Sequence, residues 1–288
     1  MTLQALFKEG EEELKKQEVG EADTDAWILL TECLKITRLD YLMDPKKKIA
    51  SKDVERYREW IHLRTEGMPV QYITGEQDFM GLPFLVNEDV LIPRQDTEIL
   101  VEAVLEQLKD HATVLDLGTG SGCILLSIMA LKACAYGDGT DISEAALKVA
   151  VQNEQGIRRL NRKTLPQGNR PRIRWLQGDL FEPVTGRYDV IVSNPPYISS
   201  KEISHLMREV RCHEPRIALD GSEDGLAFYR RIAKEAPSHL SADGQLFLEI
   251  GCSQAEDVAS ILEAAGFCRI QIKQDLAGLD RVVSASLG

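Results

Sequence analysis

The tetrapeptide Asn194-Pro195-Pro196-Tyr197 combines groups that could hold a planar –NH2 group. An asparagine side chain presents one acceptor oxygen and two amide protons, and the proline after it biases Asn194 toward an extended backbone. The two prolines carry carbonyl acceptors without a backbone N–H, and Tyr197 adds an aromatic face. The tetrapeptide could therefore accept both protons of an amino group and stack on the plane behind it. The alternative interpretation is a turn that ends a strand.

The segment before this tetrapeptide, residues 188–193, is an apolar run that predicts a buried strand of a parallel sheet. In open α/β sheets, ligands bind just outside the carboxyl ends of the strands. Asn194 is therefore expected where such a sheet has its active site.

A glycine-rich loop lies earlier in the chain, between a predicted strand (113–117) and a predicted helix (123–128). The loop reads Gly118-Thr119-Gly120-Ser121-Gly122. Its spacing differs from the Gly-x-Gly-x-x-Gly of dinucleotide-binding proteins, in which a helix N-terminus receives a pyrophosphate. Glycines with this different spacing suit a ligand whose uncharged or zwitterionic body approaches the backbone closely.

An acidic residue, Asp141, follows the next predicted strand. At that point a carboxylate could accept hydrogen bonds from both hydroxyls of a ribose, although it could also cap the helix that starts near Ser143. Adenosine that carries an amino acid and lacks phosphates is S-adenosylmethionine (AdoMet). The glycine loop, Asp141 and Asn194 together predict an AdoMet-dependent methyltransferase that acts on a nitrogen atom.

The charge of the chain bears on its partners. A formal net charge of −12 is unlike that of most proteins that bind nucleic acid backbones, which need a basic surface. One exception is the segment 155–174, which contains basic residues and no acidic ones. We interpret this segment as a solvated loop, with a binding site as the alternative.

Cysteine spacing and hydropathy predict the cellular setting. The six cysteines are scattered and form no Cys-x-x-Cys, which favours reduced thiols over a zinc site. The apolar runs are shorter than the ~20 residues that span a bilayer. The first residues lack the pattern of a secretory signal. We therefore expect a cytoplasmic protein without a bound metal or a membrane partner.

The hydrophobic pattern changes along the chain. Residues 1–72 show helical periodicity and predict a small all-helical domain, and residues 73–95 predict a β-hairpin linker. From residue 96 to 288 strands alternate with helices, which predicts a Rossmann-like, mostly parallel sheet. The predicted strands lie near 112–117, 134–140, 172–177, 188–193, 245–250, 268–273 and 281–286. Because the loop between the last two is short, one of them is expected to run antiparallel.

These motifs resemble those of the release factor glutamine methyltransferases, the PrmC/HemK family, over nearly the whole chain. Besides the glycine loop and Asn-Pro-Pro-Tyr-Ile, the shared segments are 67–75, 79–82, 91–98, 214–219, 224–226, 248–251, 275–276 and 280–283. Asn-Pro-Pro-Tyr also occurs in adenine-N6 DNA methyltransferases. The Ile-Pro-Arg-x-Asp-Thr-Glu segment and the helical N-terminal domain are more particular to this family.

The resemblance implies a substrate and a set of site residues. The substrate would be a class I peptide chain release factor, methylated on the side-chain amide nitrogen (N5) of the glutamine in its Gly-Gly-Gln motif. Family cofactor contacts fall on residues 118–122, Asp141, Asn194 and the position of Leu180, where some members have tryptophan. The glutamine site falls on residues 194–197, with Asn194, Pro195 and Tyr197 as its catalytic members.

One part of the resemblance leaves alternatives open. Gln95 replaces a proline that is usual in the family, and the neighbouring Arg94, Asp96 and Glu98 are either first-turn residues of a helix or direct substrate contacts. The resemblance also implies that the helical N-terminal domain docks the release factor.

Other functions share some of these features. The same grip on an –NH2 group would serve an adenine-N6 or cytosine-N4 nucleic-acid methyltransferase, although that enzyme must flip a base out of its stack. A non-catalytic AdoMet-binding protein is a third possibility.

Overall fold

The computed structural model describes residues 1–132, 134, 136–160 and 172–288. The helices are α1 (Leu3–Lys16), α2 (Ala22–Leu34), α3 (Arg38–Met43), α4 (Ser51–Thr65), α5 (Val70–Thr74), α6 (Gln95–Gln107), α7 (Cys123–Leu131), α8 (Glu144–Leu160), α9 (Arg208–His213), α10 (Ala227–His239) and α11 (Ala255–Ala264). The strands are β1 (Glu76–Phe79), β2 (Leu82–Leu85), β3 (Thr113–Leu117), β4 (Tyr136–Asp141), β5 (Arg172–Gln177), β6 (Tyr188–Ser193), β7 (Leu240–Glu249), β8 (Phe267–Gln274) and β9 (Asp280–Leu287).

The chain forms two compact units. The first comprises Met1–Glu76 and Met207–His213, and the second comprises Gln77–Leu206 and Glu214–Gly288. The first unit therefore contains α1 to α5 and the short helix α9, and the second contains both sheets apart from Glu76.

Close packing and a largely buried group of ion pairs stabilise the helical unit. A Cβ atom at Gly10 of α1 would lie 2.1 Å from the hydroxyl oxygen of Tyr57, so only glycine lets α1 approach α4 this closely. Arg64 of α4 forms ion pairs with Asp25 of α2 at 2.7 Å and with Glu209 of α9 at 2.6 Å. The side chains of Arg64 and Asp25 are only 12% and 9% exposed, so each charge depends on its partner more than on water.

The second unit is built on a seven-stranded sheet with the order β5-β4-β3-β6-β7-β9-β8. β3, β4, β5, β6 and β7 pair in parallel, whereas β9 is antiparallel to both β7 and β8. The predicted Rossmann-like fold is thus confirmed, as is the antiparallel strand near the end of the chain. The chain passes from β3 to β4 on one side and reaches β6 on the other, so β3 stands at the topological switch point of the sheet.

Side chains of the central strands alternate between two hydrophobic cores. Leu115, Leu117 and Ile191 lie in the core that contains α10 and α11, whereas Val114 and Val192 lie in the core that contains α6 and α7. This alternation arises because successive residues of a strand point to opposite faces. The sheet is buried on both faces, as the continuous apolar runs of β3 and β6 require.

The small hairpin of β1 and β2 packs into the second unit. Phe79 and Phe84 are buried in the core of α6 and α7, with their rings 6.0 Å apart and nearly perpendicular. Asn153 of α8 also binds the hairpin. Its side chain accepts from the Leu85 N–H and donates to the Leu85 carbonyl.

The basic segment 155–174 is only partly accounted for. Residues 161–171 lie outside the described residues, and the interpretation as a loop lies with them. At the two ends of the segment the loop interpretation is wrong, because residues 155–160 belong to α8 and residues 172–174 to β5. Arg158 of α8 pairs with Glu154, and Arg174 of β5 pairs with the buried Asp138.

Within the described ranges, no helix is long and apolar enough to cross a membrane. The same ranges contain no group of three or more His, Cys, Asp or Glu side chains arranged to hold a metal ion.

Candidate active site

Three neighbouring strand ends carry the predicted site residues. β3 lies between β4 and β6, and Leu117 at its end is aligned with Thr140 of β4 and Ser193 of β6. The residues that follow these three positions are Gly118, Asp141 and Asn194. The parallel register therefore brings the glycine loop, the acidic residue and the Asn-Pro-Pro-Tyr segment to one edge of the sheet.

The glycine loop contains glycines of two kinds. Gly118 and Gly120 have φ values of +68° and +55°, and a Cβ atom on either would face open space in a cleft. Gly122, with φ of +79°, lies against the core instead, where a Cβ would come within 2.9 Å of the Trp175 ring. The first two glycines thus leave room for a ligand, and the third leaves room for the protein's own packing.

Asp141 is fixed by backbone donors on both sides. One carboxylate oxygen accepts from the Gly120 N–H at 2.8 Å, and the other accepts from the Ser143 N–H at 2.9 Å. Burial raises the pKa of Asp141 above its ordinary value, and these two hydrogen bonds act in the opposite direction. Each oxygen keeps a further lone pair for an outside donor.

Ser143, rather than Asp141, caps the following helix. Its hydroxyl accepts from the Ala146 N–H at 3.1 Å. Asp141 was the alternative candidate for this cap. Its carboxylate accepts from the N–H of Ser143, which precedes the first helical residue, Glu144, so it does not cap the helix itself.

Most of the predicted site residues line one cleft of the second unit. Those that do are Gly118, Gly120, Asp141, Leu180, Asn194, Pro195 and Pro196. Leu180 adopts a left-handed backbone, with φ of +51°, and packs its side chain against the core beside the cleft. Its position thus provides apolar packing at the place where the family resemblance locates a cofactor contact.

The remaining predicted residues are set back from the cleft wall. Thr119 is buried and donates from its hydroxyl to Asp116, and the buried Ser121 accepts from the Asn153 side chain through its carbonyl. Tyr197 is half-buried against the core of α10 and α11, and its carbonyl accepts from Gln254.

Two glycines allow neighbouring backbone to pack directly against the Asn-Pro-Pro-Tyr segment. A Cβ atom at Gly225 would lie 2.3 Å from the Tyr197 carbonyl oxygen, and one at Gly221 would lie 2.8 Å from the Pro196 carbonyl oxygen. Ile198 also pairs with the 219–221 backbone through hydrogen bonds to Leu219 and from Gly221. The segment is therefore supported by neighbouring backbone as well as by the Gln254 side chain.

The first turn of α6 contacts several parts of the site. Thr97 accepts from Nδ2 of Asn194 at 3.2 Å, which leaves Oδ1 of Asn194 as the acceptor for another molecule. Arg94 pairs with the buried Glu214, Asp96 pairs with Arg281 at 3.0 Å, and Glu98 accepts from the Met80 N–H at 2.5 Å. Arg94, Asp96 and Glu98 are thus engaged within the protein, which favours an architectural role for them over direct substrate contact.

Sequence reasoning missed several residues of the cleft and its support. The cleft is also lined by Asp89, Val90, Leu91, Ile142, Ser143, Asp179, Ser193, Pro215, Ile217, Phe228 and Arg231. Thr97 and Glu249, which adjoin Asn194, had no assigned role. A charged residue within the otherwise apolar run 246–250 was the signal that could have found Glu249.

The cleft fits AdoMet in its shape and in the chemistry of its walls. Gly118 and Gly120 leave open space at the backbone, and the Asp141 carboxylate stands beside them as an acceptor. Leu91, Ile142 and Phe228 add apolar surface suited to an adenine ring.

The fold and the cleft define a methyltransferase with a Rossmann-like sheet. Residues 94–214 match the family model of the methyltransferase small domain, and residues 5–75 match that of the PrmC N-terminal domain. The release factor glutamine methyltransferase of Clostridium acetobutylicum is 42% identical over 92% of this chain and 91% of that protein. The one of Cereibacter sphaeroides is 40% identical over 93% and 92%, respectively. The chain therefore belongs to the release factor glutamine methyltransferase family.

A solved structure supports the fold independently. The catalytic domain of hMettl16 superposes with a TM-score of 0.53 at 15% identity, covering 83% of this chain and 82% of that one. At such low identity, the likeness concerns the fold alone.

Proposed function

We propose that this protein transfers a methyl group from AdoMet to the side-chain amide nitrogen (N5) of the glutamine in the Gly-Gly-Gln motif of class I peptide chain release factors. The observation that carries the proposal is the anchored amide of Asn194, whose Nδ2 donates to Thr97 while its Oδ1 is left to accept. The relatives supply the substrate class, because they are named release factor glutamine methyltransferases. The similarity to them extends over nearly their whole length.

The proposed cofactor site comprises Asp141, Leu180, Asn194 and the glycine loop, residues 118–122. AdoMet supplies an electrophilic methyl group when it is bound. Gly118 and Gly120 would admit its body to the backbone, and the Asp141 carboxylate would accept hydrogen bonds from the ribose hydroxyls. Thr119, Ser121 and Gly122 would act by fixing the shape of the loop, since their contacts are with Asp116, Asn153 and Trp175.

The proposed substrate site comprises residues 194–197. An amide nitrogen is a poor nucleophile because its lone pair is delocalised into the carbonyl, so it must be held in a near-attack geometry. Oδ1 of Asn194 and the carbonyl of Pro195 would each accept one proton of the amide. As nitrogen becomes positively charged in the transition state, these two preorganised acceptors would stabilise it.

Pro196 and Tyr197 would complete the grip. Pro196 lines the cleft and would bound the site, and the half-buried ring of Tyr197 would pack on the amide plane. A strong base is unnecessary in this scheme, because the methylated amide would release its proton readily.

The proposal also assigns a role to each part of the chain. Residues 1–72 would form a docking domain for the release factor, residues 73–95 a hairpin linker, and residues 96–288 the methyltransferase domain. With a net charge of −12, the protein would bind protein rather than nucleic acid, and it would act in the cytoplasm, where translation ends.

A transfer assay with labelled AdoMet tests this function. The full chain is incubated with a purified class I release factor that carries Gly-Gly-Gln, with its Gly-Gly-Ala variant, and with unmethylated duplex DNA. We expect label on the Gly-Gly-Gln form alone. Label on DNA, or equal label on both protein forms, would contradict the proposal.

A further inference from the structure

A buried carboxyl group, Glu249, lies behind Asn194 at the end of β7. Its side chain is 2% exposed, and its Oε2 oxygen has no hydrogen-bond partner among the described residues. In the parallel pairing of β6 and β7, Leu248 is aligned with Ser193, so Glu249 lies beside Asn194 at the edge of the sheet. The side chains of Thr97 and Asn194 lie close enough to lower the pKa of this carboxyl group. Asn194 in turn donates from Nδ2 to the Thr97 hydroxyl oxygen at 3.2 Å. Residues of α6, β7 and the loop after β6 therefore meet in one small buried network.

We propose that Glu249 is a positioning residue for methyl transfer. Its carboxylate, together with the Thr97 hydroxyl, holds the side-chain amide of Asn194 with Nδ2 turned inward and Oδ1 turned toward the acceptor amide. The inference rests on the proposed function, because it concerns the orientation in which Asn194 receives the substrate.

The need for such a residue follows from the shape of an asparagine amide. Its oxygen and nitrogen ends are almost the same size, so packing alone does not select between the two orientations. An ionised carboxylate only accepts hydrogen bonds, so the end of Asn194 that faces it must be the –NH2. The flipped amide would aim its own –NH2 at the substrate –NH2, which places donor against donor and removes an acceptor from the developing charge.

The surroundings of Glu249 decide when it is ionised. Burial raises the pKa of Glu249 to about 7, and the nearby Asp96 adds to this, whereas Thr97, Arg281 and Asn194 lower it. The charged and titratable groups that face it are Asp96 on α6, Arg281 on β9, Cys123 on α7, Tyr229 on α10 and Tyr197.

Protonation of Glu249 would release the constraint. A protonated carboxyl group donates as well as accepts, so it could bind Oδ1 of Asn194 and stabilise the flipped amide. The carboxylate form predominates above the folded-state pKa, and the protonated form predominates below it. We therefore expect kcat at saturating AdoMet and release factor to fall as the pH drops through about 7.

A spectroscopic test observes the contact directly. The full chain contains five asparagines, so labelling with 15N-asparagine gives few side-chain amide signals, and Asn194→Ala assigns the one that matters. We expect the Asn194 signal to titrate near neutral pH in the wild type and to stop titrating in Glu249→Gln. The signal of Asn153, which donates to the carbonyls of Leu85 and Ser121, serves as the reference that stays constant.

A kinetic test asks whether the contact matters for the reaction. Glu249→Gln keeps the shape of the side chain but can present either a donor or an acceptor, and we expect it to lower kcat by about 10-fold or more. The KM for the release factor and the Kd for AdoMet should change less than about threefold, and the acidic limb of the pH profile should disappear. Thr97→Val, which removes the hydroxyl at similar volume, should act in the same direction.

Glu106→Gln is the matched control, because Glu106 lies at the other end of α6 and pairs with Lys273 on the surface. Melting temperatures of all variants separate misfolding from misorientation. An Asn194 signal that does not titrate, or that titrates equally in Glu249→Gln, would overturn the inference, as would an unchanged kcat. If the wild type methylates no release factor, the proposed function fails, while the spectroscopic test still reports on the contact itself.

Discussion

Asp141 and Asn194 flank the glycine loop on opposite sides, and their environments predict different defects. Asp141 faces the cleft between two backbone donors, whereas Asn194 is anchored through Nδ2 and presents an acceptor. We expect Asp141→Ala to weaken AdoMet binding by about 10-fold or more, because two charge-assisted hydrogen bonds to ribose are lost. We expect Asn194→Ala to lower kcat by about 100-fold, with AdoMet affinity largely intact.

Calorimetric titration with AdoMet and single-turnover kinetics distinguish the two effects. Asp110→Ala is the control, since that carboxylate is exposed on the surface and pairs at 3.8 Å with Lys132. An Asp141→Ala protein with wild-type affinity would contradict the ribose contact. A kcat within a few-fold of the wild type in Asn194→Ala would contradict the acceptor role.

Glu249 also predicts how the stability of the fold depends on pH. Because burial raises its pKa to about 7, the folded protein keeps a proton on Glu249 between about pH 4.5 and 7 that the unfolded chain releases. The free energy of unfolding therefore falls as the pH rises through this window, by up to about 1.4 kcal/mol per pH unit, and levels off above it.

Glu249→Gln removes this contribution. In thermal unfolding between pH 5 and 8, we expect the melting temperature of the variant to rise relative to the wild type up to about pH 7 and then to keep a constant difference. A difference that is the same at every pH would show that Glu249 is not protonated in the folded protein at pH 5.

Loops and helix ends, rather than whole strands, hold the active site in shape. The Asn-Pro-Pro-Tyr segment lies directly against Gly225, which has φ of +72° and would place a Cβ 2.3 Å from the Tyr197 carbonyl oxygen. We expect Gly225→Ala to displace this segment and to reduce methyl transfer by at least about 10-fold, because the clash is with backbone. Transfer assays at saturating substrates measure the effect.

Gly266→Ala is the matched variant for this prediction. Gly266 also has a positive φ, of +91°, but a Cβ there would meet nothing within 4 Å. It shares the backbone strain, which costs about 1–2 kcal/mol, without the contact to the site. Equal losses of activity in the two variants would mean that strain, and not displacement of residues 194–197, is responsible.

For the whole molecule, the proposed docking role of the helical unit makes α3 its most informative element. Leu39, Leu42 and Met43 are 67%, 66% and 78% exposed, and α3 has no buried residue. Neighbouring exposed apolar side chains of this size are typical of interaction surfaces. We expect Leu39→Asp combined with Leu42→Asp to raise the KM for the release factor by about 10-fold.

The same double variant should keep its kcat and its affinity for AdoMet, because α3 belongs to the helical unit and the cleft to the other. Leu276→Asp, at a fully exposed leucine of the second unit, is the control. Unchanged steady-state kinetics in the double variant would remove α3 from the docking surface.

The strands, the glycine loop and the chemical class could be predicted from the sequence alone. Apolar runs such as 188–193 have to be buried, and the alternation of strands with helices leaves few ways to bury them other than a mostly parallel sheet. Gly118, Asp141 and Asn194 were identifiable because each lies at the end of a predicted strand, and parallel strands end at a common edge. Local chemistry and periodicity are sufficient for these features.

The support of the site was decided by tertiary structure. Thr97 and Glu249 are 97 and 55 residues away from Asn194 in the chain, and only the packing of α6 and β7 against the end of β6 brings the three together. Likewise, Gly122 looks like its neighbours in sequence but packs against Trp175, while Gly118 and Gly120 face the cleft. Sequence pattern identifies which residues have the right chemistry, but long-range contacts determine which of them face the ligand and which hold the others in place.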